Sequence, residues 1–131
     1  MKRILLTFLL SSCASLLLAQ PYENSWINYS QPYYKFKISQ EGIYRINRQT
    51  LLFAGVQVTG SDPRKIQIFH NGVEQFIYIE GENDGVFDAA DFIEFYADKN
   101  DGSLDSKLYA DPSWQPTPNY SLFTDTAVYF L

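Results

Sequence analysis

A chain of 131 residues has room for one domain with a substantial core, and 17% of it is aromatic, a balance that favours pleated sheet over helix and predicts an all-β fold. The formal charge is −5 and becomes −7 without Lys2 and Arg3, so no basic surface neutralises phosphates or anionic head groups, and nucleic acid is excluded as a partner. The single cysteine, Cys13, falls in the N-terminal apolar run, so a chain cut after that run forms no disulfide and offers no thiol nucleophile or thiolate ligand.

Lys2 and Arg3 form a short positive segment, residues 4–19 are an apolar run with a few Ser and Thr, and Leu17-Leu18-Ala19 before Gln20-Pro21 supplies a small residue for cleavage. This reads as a secretory signal peptide over residues 1–19, followed by a domain over 20–131 exported to the periplasm, the outer-membrane surface or the extracellular space. The run is shorter than the ~20 residues of a membrane-spanning helix, and the polar Tyr22-Glu23-Asn24-Ser25 follows at once, so the mature form is expected to have no membrane span. Leu10-Ser11-Ser12-Cys13 also has the form of a lipobox, an alternative that would place a lipid on Cys13, although the apolar stretch 14–19 continues past it.

Residues 33–39 alternate, with Tyr34, Phe36 and Ile38 on one face and Lys35 and Lys37 on the other, which is the period of a half-buried antiparallel strand. Gln40-Glu41-Gly42 turns the chain, and residues 43–47 resume a strand. Asn47 is placed to cap a short helix over residues 48–54, ended by Gly55 where a left-handed residue is wanted. After the turn cluster Gly60-Ser61-Asp62-Pro63, residues 65–70 alternate and run into Asn71-Gly72, a dipeptide suited to a tight hairpin because both residues tolerate positive φ. A strand over 73–80 is therefore expected to pair back onto 65–70. Residues 81–90 are acidic and turn-rich, 91–97 form a strand carrying Phe92, Ile93, Phe95 and Tyr96, and 99–106 are another polar turn. Pro112, Pro116 and Pro118 impose an extended loop over 111–119, and 126–131 form a strand that stops while still apolar, which predicts that the domain belongs to a longer protein. Together these signals predict an antiparallel β-sandwich-like domain built from hairpins, with one short helix.

One segment has the spacing of a metal site. From Glu80 to Asp91, oxygen ligands fall at the first, third, fifth, ninth and twelfth positions (Glu80, Glu82, Asp84, Asp88 and Asp91), with Gly85 at the sixth. Calcium takes such hard oxygens around a sharp turn, so this is a hypothetical calcium loop of EF-hand type. It departs from that pattern in its first and twelfth residues and in being flanked by strands, and a solvated hairpin loop rich in turn formers is the competing reading. His70, the only imidazole, sits directly before the Asn71-Gly72 turn with no cysteine beyond residue 13 to pair with, and reads as a structural or surface histidine. Trp26, Trp114 and the tyrosines either form an exposed strip that stacks on sugar or peptide or fill the core and edges of a small sheet. No nucleophile elbow, Gly-rich phosphate loop or paired metal-histidine motif is present, so no catalytic residue is assigned.

A longer run of motifs is familiar in its order: Trp26; Gly42-Ile43-Tyr44-Arg45-Ile46; Asp62-Pro63; Ile66-Gln67-Ile68-Phe69-His70-Asn71-Gly72; Asp84-Gly85-Val86-Phe87-Asp88; Asp91-Phe92-Ile93-Glu94-Phe95-Tyr96; Asn100-Asp101-Gly102; and Leu122-Phe123-Thr124-Asp125-Thr126. Over residues 26–131 it resembles the N-terminal region of gingipain-like cysteine peptidases of the PorU sortase type. That resemblance implies a signal peptide, this β-rich domain, a downstream caspase-like peptidase domain of the same polypeptide with a Cys-His dyad, and further β domains. It also implies type IX secretion, in which the sortase removes the C-terminal sorting domain of a cargo protein at the cell surface and joins the cargo to an anchoring lipopolysaccharide. Neither Cys13 nor His70 matches the family's dyad, so the expected role is that of a non-catalytic scaffold or cargo-positioning module, with the peptidase domain and cargo proteins as partners. The rival expectation is a secreted, calcium-dependent glycan- or protein-binding adhesion module.

Overall fold

A computed structural model describes residues 24–131; the expected signal peptide, its cleavage point and Cys13 lie outside them. Among the described residues seven strands form two antiparallel sheets, with one short α-helix, as expected of an all-β sandwich-like domain. The first sheet has four strands in the order β1 (Lys35–Ile38), β7 (Ala127–Phe130), β3 (Phe69–His70) and β4 (Val73–Glu74). The second has three, with β6 (Phe92–Ala97) between β2 (Gly42–Asn47) and β5 (Ile77–Glu80).

The two sheets bury their inner faces against each other. Ile38 of β1 and Ala127 and Tyr129 of β7 meet Ile79 of β5 and Ile93, Phe95 and Ala97 of β6 in one cluster. Phe36 stands edge-on to Phe95 at 5.9 Å and stacks on Tyr129 at 5.7 Å, so the aromatics of both sheets interlock. Burying each such side chain contributes about 1.5–3 kcal/mol. The Tyr129 hydroxyl clasps the sheets together: it accepts from the Asp98 N–H at 2.8 Å and donates to the Asp98 carbonyl at 3.1 Å, just past the end of β6.

The helix α1 (Arg48–Phe53) begins and ends as its sequence predicts. Asn47 Oδ1 accepts from the Thr50 N–H at 2.8 Å, and at the other end Val56 N–H reaches Leu51 O while Gly55 N–H reaches Leu52 O. That pair of bonds is a Schellman closure, with its apolar contact supplied by the buried Leu51 and Val56. The Asn71-Gly72 turn has φ of +50° and +78°, the two left-handed residues of a type I′ hairpin joining β3 to β4.

The strand expected over 73–80 is divided between sheets. Only Val73 and Glu74 pair with β3, the Gln75 N–H reaches Ile68 O at 2.7 Å, and from Ile77 the chain pairs with β6 instead. Phe76 stands at this corner fully exposed, while Ile79 is buried between the sheets. One continuous hairpin arm would leave β6 without its second neighbour, and the corner gives the backbone groups of both sheets partners. Alternation over 65–70 is likewise interrupted, because Ile68 and Phe69 are both buried. Ile68 faces the core, and Phe69 faces outward beneath Trp26, whose ring stacks on it at 4.9 Å.

Strand β7 explains its own apolar sequence by position. It is a central strand, paired with β1 on one side and β3 on the other, and Leu131 continues the ladder through bonds to and from Tyr34. The proline-rich stretch is not extended throughout: Pro112 opens a 3-10 turn, Pro112–Trp114, capped by the Asp111 carboxylate.

Candidate functional site

The five carboxylates of the acidic loop do not gather. Among the described residues no three His, Cys, Asp or Glu side chains form a group that could hold a metal ion. Instead most of them serve backbone N–H groups or a neighbouring hydroxyl. Asp84 Oδ1 accepts from Val86 N–H at 2.9 Å, Asp88 Oδ1 from Ala90 N–H at 3.0 Å, and Asp91 Oδ2 from Asp88 N–H at 2.7 Å. Glu80 accepts from the Tyr78 hydroxyl on the outside of β5, and Glu82 opens a 3-10 turn, Glu82–Asp84, between two left-handed glycines. The loop is pinned by Phe87, which is 1% exposed, and by the buried Asp91. Gly81, at φ +85°, lies so close to Asp91 that any Cβ there would run into the carboxylate.

His70 is engaged at both nitrogens. Its ring stacks on Tyr129 at 4.2 Å, and Nδ1 lies 2.9 Å from the Val128 carbonyl. A carbonyl can only accept, so Nδ1 carries the hydrogen, leaving Nε2 to accept from Asn71 at 3.2 Å. This is the structural histidine that its sequence position predicts. Trp26 is held by Tyr33, Phe69 and Phe130 and covers the outer face of the first sheet, whereas Trp114 is exposed. A groove of about 480 Å³ is lined by Tyr33, Tyr34, Val56, Val58, Ile66 and Phe69 among others.

The most distinctive surface is the outer face of the second sheet. Period-two alternation turns Ile43, Arg45 and Asn47 of β2 outward with Phe92, Glu94 and Tyr96 of β6 and Tyr78 and Glu80 of β5. The register sets Ile43 opposite Tyr96, then Arg45 and Tyr78 on either side of Glu94, then Asn47 and Glu80 on either side of Phe92. Ile43 is 76% exposed, and Tyr78 and Tyr96 are each more than half exposed.

At the centre, the Arg45 guanidinium bonds Glu94 at 2.8 Å and lies 3.9 Å over the Phe92 ring. Tyr78 is 6.4 Å from the same ring. Carboxylates surround both tyrosines. The hydrogen bond to Glu80 and its charge, with Glu94 and Glu82 behind it, push the Tyr78 phenol above its ordinary range. Desolvation, then Asp98 and Glu41, do the same to Tyr96.

Sequence reasoning did not assemble this face: it placed Glu80 in a calcium loop and the tyrosines in a strip with the two tryptophans. Alternation puts Phe92, Glu94 and Tyr96 on one side of the strand and the wholly apolar Ile93, Phe95 and Ala97 on the other, and the side that carries Glu94 is the one that meets solvent. No helix among the described residues is long and apolar enough to cross a membrane. Comparison with protein-family models, with curated proteins and with solved structures finds no match to this chain.

Proposed function

We propose that this chain is a non-catalytic, exported β module that positions a protein partner for the downstream catalytic domain of a gingipain-like, type IX secretion-associated cysteine peptidase. The observation that carries the docking role is the outer face of the second sheet, where Ile43, Tyr78, Tyr96 and the corner residue Phe76 stand exposed beside an Arg–Glu pair. Large aromatics with arginine on one rigid sheet are the composition of a protein interface, and isolated exposed apolar residues are not. The ordered motifs over residues 26–131 supply the link to that peptidase family.

Reading the coding sequence beyond the codon for Leu131 tests this. An open frame entering a caspase-like domain with its Cys and His fits the proposal. A stop codon there refutes it and leaves a free-standing secreted binding module.

A further inference from the structure

The outer face of the second sheet combines two things that each attract cations: aromatic rings open to solvent, and carboxylates set between them. Glu80 and Glu94 lie among the rings, and Glu41 and Asp98 flank Tyr96. Arg45, the cation within this array, is already bound to Glu94. The whole chain carries a formal charge of −5, so nothing in its overall balance opposes an approaching cationic partner.

The face also shows how it holds a guanidinium. Arg45 donates from Nε and from its terminal nitrogen to Glu94 Oε1 at 2.9 and 2.8 Å while its flat side rests 3.9 Å over Phe92. Ring below, carboxylate beside is the arrangement that holds arginine well, because the ring quadrupole and the anion act on the same charge. Further rings stand beside carboxylates on the same face: the Tyr78 hydroxyl bonds Glu80, and Tyr96 is exposed at the end of β6, where Asp98 follows the strand and Glu41 precedes Gly42, the partner of Ala97.

From this charge complementarity we infer that the outer face of the second sheet docks an arginine- and lysine-rich segment of a partner protein, laid across Tyr78, Phe92 and Tyr96. Guanidinium groups sit over the exposed rings and pair with Glu80, Asp98 and Glu41, while Phe76 and Ile43 take the apolar side chains between them. This rests on the docking half of the proposed function and names the chemistry of its partner. It does not depend on which domain follows, so reading the gene and measuring binding fail separately.

The test titrates the protein with a fluorescein-labelled peptide of alternating Arg and Ser, followed by anisotropy at two salt concentrations, with a Glu-Ser peptide as control. The Arg-Ser peptide is expected to bind and the Glu-Ser peptide not to. The double variant Tyr78→Ala, Tyr96→Ala, which leaves the charge unchanged, is expected to weaken binding at least tenfold. Asp111→Asn, which removes a charge outside the second sheet, is expected to change it less than twofold. Amide chemical-shift mapping on the unaltered protein is expected to confine the perturbations to β2, β5 and β6, and this reading survives if a variant fails to fold. Absence of binding, equal binding by the tyrosine variant, or perturbations centred on residues 82–91 or 99–106 would each overturn the assignment.

Discussion

Gly81→Ala probes the close approach that organises the acidic loop. Two separate penalties apply at this position. A left-handed backbone at φ +85° costs a residue with a Cβ about 1–2 kcal/mol. The new Cβ would also push into the Asp91 carboxylate, which is 5% exposed and has no room to retreat without leaving the Asp88 N–H it holds at 2.7 Å. Losing that charge-assisted bond costs a further ~1.5–3 kcal/mol, for a total of about 3–5 kcal/mol.

Gly60→Ala is the control, because Gly60 has a similar φ of +76° but nothing within 4 Å of its Cβ position, so only the first penalty applies. Urea and thermal denaturation, followed by tryptophan fluorescence, should place Gly81→Ala about 1.5–3 kcal/mol below Gly60→Ala, a gap of roughly 5–15 °C in Tm for a domain of this size. In an Asp91→Ala background the gap should close, since the clash is with that carboxylate. Equal stabilities for the two single variants, or an undiminished gap without Asp91, would refute the reasoning.

Tyr129→Phe keeps the buried ring but removes the hydroxyl that serves both Asp98 backbone groups, and should lower stability by about 1–2 kcal/mol at neutral pH. Burial pushes the Tyr129 phenol above its ordinary value of 10.0. A pKa raised on folding stabilises the protein below the unfolded value and is lost as pH rises through the folded one. Stability should therefore fall above about pH 10, less steeply in Tyr129→Phe, as read from urea midpoints across that range. The Arg64 hydrogen bond holds the Asp62 carboxyl down at about 2, so carbon-detected titration should find it ionised well below the ordinary value of 3.8, and Arg64→Gln should return it toward that value. Because the acidic loop's carboxylates are occupied with the loop's own donors, calcium and a chelator should leave the same Tm. A rise with calcium would mean that Glu80, Glu82, Asp84, Asp88 and Asp91 rearrange to bind it.

Local signals were legible because their physics is local. The Asn47 cap, the closure at Gly55 and the Asn71-Gly72 turn each depend on a few consecutive residues, and alternation in β1 and β6 separates Lys35 and Lys37 from Ile38, and Phe92 from Ile93, without reference to the rest of the chain. The acidic loop offered two readings for the same reason. Spacing places Asp84, Asp88 and Asp91 at ligand positions, but the same short side chains reach N–H groups two or three residues away, and in the fold they bond there.

The all-β class, the short helix and the hairpin turn were thus determined by the sequence itself, through propensity, period and positive-φ dipeptides. Tertiary structure alone decided that residues 73–80 divide between two sheets, that β7 lies in the middle of the first sheet, and which strands flank β6. Each of these is settled by pairing between residues far apart in the chain, such as Phe36 with Tyr129 or Arg45 with Glu94. The candidate docking face follows from the same pairing, because three strands from separate parts of the chain must come into register before Tyr78, Phe92, Tyr96 and Arg45 share one surface.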